Sequence, residues 1–167
     1  MPVTVYRQAG TVAGTFVHKP LGIILHGSRS GQQWSIGSEF DSCRNFAAGG
    51  ANGLGWNATV GEDEYSIHMT ARQWGWNARS PASQTLLAVE LAQAQLVDPI
   101  TDAQVRAFVH WYEHEVVPVW GPLDLSSDGA LPTHAELPAG IADGKTDCFP
   151  RNDPRADDLR ARIRAAL

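Results

Sequence analysis

The chain has 167 residues, of which 43% are hydrophobic and 19% charged, with a net charge of −5. That length and balance fit one domain, residues 1–167, around a single core, and they exclude a disordered chain. The acidic balance excludes a nucleic-acid binder that works by neutralising phosphates, and two cysteines are too few for a disulfide framework.

No apolar stretch reaches membrane-spanning length, so no membrane insertion is expected. The first ten residues lack the charged and apolar regions of a signal peptide, so the protein is expected to be made in the cytoplasm and to stay there unless something releases it. Basic residues gather only near the end, at Arg151, Arg155, Arg160, Arg162 and Arg164, where Asp153, Asp157 and Asp158 interrupt them. This reads as a solvated helix face.

Residues 21–25 form a short continuous apolar run, the pattern of a strand covered on both faces, and His26 stands at its end before a loop over 27–31. Ile36, Phe40, Cys43 and Ala47 recur at helical spacing, and Gly49 and Gly50 end that helix. Residues 56–60 and 64–70 read as strands joined by a turn over 61–63. A second apolar run covers 85–91 and contains Glu90. Thr101 and Gln104 then spell a capping box ahead of Val105, Phe108, Val109, Tyr112 and Val116 on one helical face, closed by Pro118. Residues 121–150 are rich in Gly, Pro and Asp and read as loop. Asp153 and Pro154 start a last helix with Leu159, Ile163 and Leu167 as its apolar stripe. Strands interleaved with helices predict an α/β domain, a central mixed sheet flanked by helices.

Three features carry chemistry. His26 lies where an apolar strand runs out into a glycine-rich loop, a common place for catalytic groups in open α/β sheets. Glu90 lies inside an apolar strand, where it either alternates outward to solvent or, pointing inward, needs a partner or a function. His134 and the run Lys145, Thr146, Asp147, Cys148 bring metal-type ligands and a cation into one loop segment, although the spacing is not that of a zinc finger. His110 and His114 are four apart on a helix but lack the order of a metalloprotease motif, and they read as packing or surface residues. His68 opposes Tyr65, Ile67 and Met69 by parity, and His18 stands in a loop.

In order, these segments resemble the zinc N-acetylmuramoyl-L-alanine amidases of type 2, a family that includes phage lysins, muropeptide-recycling amidases and the peptidoglycan recognition proteins. Residues 21–26 resemble the family's first strand with its zinc-binding His; 85–91 its strand with the catalytic Glu; 134–138 the loop with the second zinc His; and Lys145, Thr146, Asp147 the segment that closes the site. The resemblance implies a zinc site in a surface cleft with His26, His134 and Asp147 as ligands, and Glu90 and Lys145 as catalytic groups. It implies hydrolysis of the amide between N-acetylmuramic acid and L-alanine by a monomer acting on peptidoglycan or muropeptides, as a phage endolysin released to the cell wall. A recycling amidase and an inactive recognition module are the alternatives. Asp147 is favoured over Cys148 because the family's ligand stands two residues after the Lys, and Cys148 is then a packing residue facing Cys43. The chain departs from the family pattern at Thr133, where Gly is usual, at Trp56-Asn57, where a hairpin Tyr-His or Ala-His is common, and at Cys148-Phe149-Pro150, where Pro-Gly-Pro is common. Trp34, Trp56, Trp74 and Trp76 are candidates for substrate contact.

Overall fold

A computed structural model describes residues 2–28, 35–49, 54–93, 95, 98–146 and 148–167. Five strands form a mixed sheet: β1 (Thr4–Arg7), β3 (Ile23–Ser28), β4 (Ala58–Gly61), β5 (Glu64–Ile67) and β7 (Leu87–Ala92), in the order β1-β5-β4-β7-β3. Only the β4–β5 hairpin is antiparallel; β1 runs parallel to β5, β4 to β7, and β7 to β3. A two-residue pair, β2 (Gly14–Thr15) with β6 (Gln73–Trp74), lies apart from it.

β3, at the end of the sheet, and its neighbour β7 are buried along nearly their whole length, which is why they read as continuous apolar runs. Side-chain alternation splits their residues between two layers. Ile23, Leu25, Leu87, Val89 and Leu91 face a core shared with Val105, Phe108 and Trp111 of α3 (Asp102–Trp111) and with Leu159 and Ile163 of α6 (Pro154–Ala166). Ile24 and Ala88 face the other side, with Ala47 of α1 (Ile36–Gly49) and Leu137. His26 and Glu90 share that second face, paired in register across β3 and β7.

The predicted strand at 21–25 starts two residues later and runs on through Ser28, leaving Leu21 71% exposed. The run at 85–91 likewise gives its first residue to α2 (Ala82–Thr85), where the Thr85 hydroxyl bonds back to Pro81 O at 3.2 Å. The capping box is present: Gln104 N–H donates to Thr101 Oγ1 at 3.2 Å, and Thr101 N–H to Gln104 Oε1 at 3.0 Å.

Pro118 does not end the helix outright. After Trp111 the chain widens into a π-helical turn (Tyr112–Val116), with Val117 N–H bonded to Tyr112 O, and then resumes as α4 (Val117–Trp120). Placing Pro118 in the first turn of a new segment removes the need for its missing N–H. Two expectations for the last helix also change. Leu167 is 47% exposed, so the apolar stripe stops at Ile163. Arg160 is only 2% exposed, because its guanidinium bonds Leu131 O at 3.0 Å, Asp157 at 2.7 Å and Glu136.

Candidate metal centre and cleft

His26 is 3% exposed on β3, and its Nδ1 lies 3.8 Å from Glu90 Oε1 on β7. Glu90 interrupts an otherwise buried strand and keeps 14% side-chain exposure. The in-register pairing of parallel strands puts both side chains on one face, so Glu90 points toward the site and not away from it.

His134 reaches the same place by a different route. Residues 132 and 133 run beside β3, with Leu25 N–H bonded to Pro132 O at 2.9 Å and a parallel bridge between Leu25 and Thr133. A 3-10 turn (His134–Glu136) follows, fixed by Thr133 N–H donating to Glu136 Oε2 at 2.8 Å. Glu136 also binds the buried Arg160 of α6, so the last helix holds this loop. Beneath it, α5 (Pro138–Ala142) packs so closely that a Cβ on Gly140 would stand 1.9 Å from His134 O. The rings of His26 and His134 meet edge to face, with centroids 5.0 Å apart.

Cys148 completes the group. Its Sγ lies 3.8 Å from His26 Nδ1, and the ligand atoms of His26, His134 and Cys148 all fall within 4.8 Å of one another. The next residue, Phe149, is fully buried and has a φ of 38°, a backbone conformation that L side chains rarely adopt and that clusters at functional sites. Burying the Phe149 ring in the core anchors the chain just after Cys148. Asp147, the expected third ligand, lies outside the described residues, as does Trp34. Lys145 is half-buried in the same loop, its N–H bonded to Gly140 O at 2.9 Å.

Two imidazoles and a thiol are the donor set of tetrahedral zinc sites. At zinc–nitrogen and zinc–sulfur distances of about 2.1 and 2.3 Å, tetrahedral geometry sets the N···S separation near 3.6 Å; the observed 3.8 Å is close to that. The residues present therefore fit the metal, and three ligands leave a fourth position for chemistry.

A cavity of about 440 Å³ adjoins the group, with Glu90 and Cys148 in its wall together with Cys43, Phe46 and Trp56. Trp56 is held there by a relay: its Nε1–H donates to Thr59 Oγ1 at 2.9 Å, Thr59 and His68 Nε2 are 2.8 Å apart, and His68 Nδ1 lies 2.8 Å from Gln8 O. Gln8 O can only accept, so His68 Nδ1 carries a proton, and in the neutral ring Nε2 accepts from the Thr59 hydroxyl. Burial lowers its pKa below the ordinary value, in keeping with this. His68 therefore supports the cleft from behind. Asn57 is internal as well, accepting from Ala88 N–H at 3.0 Å and donating to Gln73 O at 2.9 Å. His110 and His114 stack at 3.9 Å between centroids and belong to no metal-type group among the described residues. Cys43 faces the same cavity as Cys148, and the two form no disulfide. Burial, with Glu90 nearby, pushes the Cys43 thiol far up, so it stays protonated.

Sequence reasoning missed Glu39, 2% exposed in the first turn of α1. The signal was present: Glu39, Ser42, Cys43 and Phe46 are spaced i, i+3, i+4, i+7, and all four line the cavity.

No protein-family model and no curated protein matches the sequence. Solved structures do match its fold. A mutant endolysin from Bacillus subtilis superimposes with a TM-score of 0.66 at 16% identity, over 96% of this chain and 99% of that one. A selenomethionine derivative of AmpD gives 0.63 at 16% identity, over 100% and 96%. The N-acetylmuramoyl-L-alanine amidase LysC from Clostridium intestinale gives 0.60 at 12% identity, over 96% and 97%. The chain therefore has the fold these proteins share, over nearly its whole length.

Proposed function

We propose that the chain is a zinc amidohydrolase that cleaves the amide between the lactyl group of N-acetylmuramic acid and L-alanine in peptidoglycan. The observation that carries this reading is the convergence of His26, His134 and Cys148 on one point, with Glu90 touching His26 beside an open cavity. The fold shared with proteins described as endolysins and as an N-acetylmuramoyl-L-alanine amidase supports it.

His26, His134 and Cys148 would hold the zinc. Asp147 is the alternative third ligand, favoured by register with the family. When bound, zinc supplies Lewis acidity that polarises the amide carbonyl and acidifies water. Glu90 takes a proton from the attacking water and returns it to the departing amine of the first stem residue. Its partly buried position beside His26 suits a carboxylate that must hold a proton between those two moments. Lys145 would place its ammonium against the developing oxyanion, a contribution of about 3–4 kcal/mol for one well-placed donor.

The wall-lytic form of this reading, a phage endolysin, predicts release of stem peptide from intact sacculi by the purified protein, lost on chelation and restored by zinc. Cleavage of soluble muropeptides without sacculi would favour a recycling amidase. Binding to sacculi with no cleavage at full zinc loading would refute the enzyme and leave a recognition module.

A further inference from the structure

The two most exposed large apolar side chains among the described residues, Val17 at 85% and Leu21 at 71%, stand on one short loop. That loop is pinned. Phe16 at its start is buried in the core, and its N–H donates to Arg72 O at 2.8 Å. At its end Leu21 N–H donates to Thr85 O at 2.9 Å, and in between the Lys19 ammonium donates to Pro122 O at 2.7 Å. The chain thus holds two aliphatic side chains out in water on a fixed frame, so little further ordering is needed when something covers them.

A groove of about 580 Å³ runs beside them, walled by Val17, Leu21 and Trp74, with His18 and Lys19 in its lining. Trp74 comes from β6, which pairs with β2 just ahead of the loop. The surroundings are basic, in a chain whose net charge is −5. His18 and Lys19 are exposed. Arg72, exposed as well, lies with its guanidinium 5.3 Å over the Trp120 ring, two residues before the Pro122 carbonyl that holds Lys19.

We propose that this loop docks the protein on a surface of anionic phospholipid. Val17 and Leu21 enter the boundary between headgroups and acyl chains, Trp74 sits at headgroup level, and His18, Lys19 and Arg72 face the phosphates. Apolar tips reach that boundary, an indole suits its mixed polarity, and each basic residue near an anionic leaflet adds attraction. Two side chains on a pinned loop go no deeper. A second copy of the chain is a poorer occupant, because it would set cations against cations. Two aliphatic side chains and part of an indole also fall well short of the roughly 800 Å² per partner of a stable protein interface.

The docking end and the metal group lie at opposite ends of the same two strands. Leu21 and Thr85 precede β3 and β7, and His26 and Glu90 stand about 16 Å further along. A molecule held by the loop therefore turns its cleft away from the lipid. This goes beyond the amidase reading and does not depend on it.

The test is co-sedimentation with vesicles of phosphatidylcholine, alone or mixed in equal parts with phosphatidylglycerol. Binding to the mixed vesicles should be at least about tenfold tighter and should weaken as salt rises. The double variant Val17→Ser, Leu21→Ser should lose at least about tenfold in affinity, and Lys19→Gln with Arg72→Gln about as much. Circular dichroism should show the apolar variant folded with its melting temperature unchanged, since both positions are exposed. No binding to either vesicle, or equal binding to both, would overturn the proposal. Loss in the charge variant alone would also overturn it, because simple adhesion of cations would then suffice. Release by soluble glycerol phosphate would make the groove a small-anion site and overturn it too. So would a dimer in sedimentation velocity that the apolar variant converts to monomer, which would give the face to a second copy. Vesicle binding needs no turnover, so a protein that docks but cleaves nothing keeps this proposal and refutes the enzyme. Cleavage without docking does the reverse.

Discussion

Gly140→Ala probes how the second imidazole is held. The added Cβ would stand 1.9 Å from His134 O, 2.9 Å from His134 C and 3.1 Å from Ala135 Cα. All three are backbone atoms of the turn that carries the His134 ring, so no side chain can swing away to make room. Non-bonded heavy atoms sit at roughly 3.5 Å, so the turn must retreat by more than about 1 Å or α5 must shift. Overpacking of this kind costs about 1–3 kcal/mol of stability. The functional cost is larger: metal ligands tolerate about 0.2 Å, and a displacement of about 1 Å at a reacting centre lowers rates about 10²-fold. The variant should therefore fold, with a melting temperature lowered by roughly 2–12 °C, yet bind zinc weakly and hydrolyse muramoyl peptide at least about 10²-fold more slowly. Melting by circular dichroism, zinc content by atomic absorption and rate by peptide release are measured on one preparation. Normal zinc content with normal rate would refute the reasoning, because the ring would then be positioned by something other than the α5 contact.

Glu90→Gln should keep the fold and the metal while lowering turnover by about 10²-fold or more, and near-normal hydrolysis would remove Glu90 from the proton transfers. Arg160→Met should cost about 3 kcal/mol, or roughly 6–12 °C in melting temperature, because it leaves Leu131 O and the Glu136 carboxylate without their buried cation; an unchanged melting temperature would show that the guanidinium adds nothing net. His68 has a folded pKa below its unfolded value of about 6.5, so the native state refuses a proton that the unfolded chain accepts. Its contribution is intact above that pH and is lost as pH falls below it, by up to about 1.4 kcal/mol per pH unit for one proton. Urea denaturation of wild type and His68→Gln between pH 7 and about pH 5 should show a flatter slope for the variant, and parallel slopes would contradict the neutral assignment.

Much of the sheet was legible because β3 and β7 are covered on both faces and the long helix α3 carries both a cap and a periodic face. Thr101, Gln104, Val105 and Phe108 announced α3 by pattern alone. Strand β1 was not legible: three of its four residues are exposed, so no alternation marks it, and only pairing with β5 makes it a strand. The π-helical turn before Pro118 was hidden for a similar reason, since a single widened turn leaves the apolar spacing of Tyr112 and Val116 nearly unchanged. At the site, His26, Glu90 and His134 were visible through the order of short motifs, and the structure brings the two histidines together with Cys148. Arg160 and Glu39 escaped notice because charged residues on helices are solvated by default. Their burial depends on tertiary partners, Glu136 for one and the cleft for the other, that no local window contains.

The identity of the third ligand decides the metal centre, and the absorption spectrum of cobalt-substituted protein reads it directly. Thiolate ligation gives a sulfur-to-cobalt charge-transfer band that carboxylate ligation lacks. The account predicts that band in wild type and in Cys43→Ser, and its disappearance together with tight metal binding in Cys148→Ser. A wild-type spectrum without the band, with metal retained by Cys148→Ser and lost by Asp147→Ala, would contradict the His26, His134, Cys148 centre and give the site to Asp147.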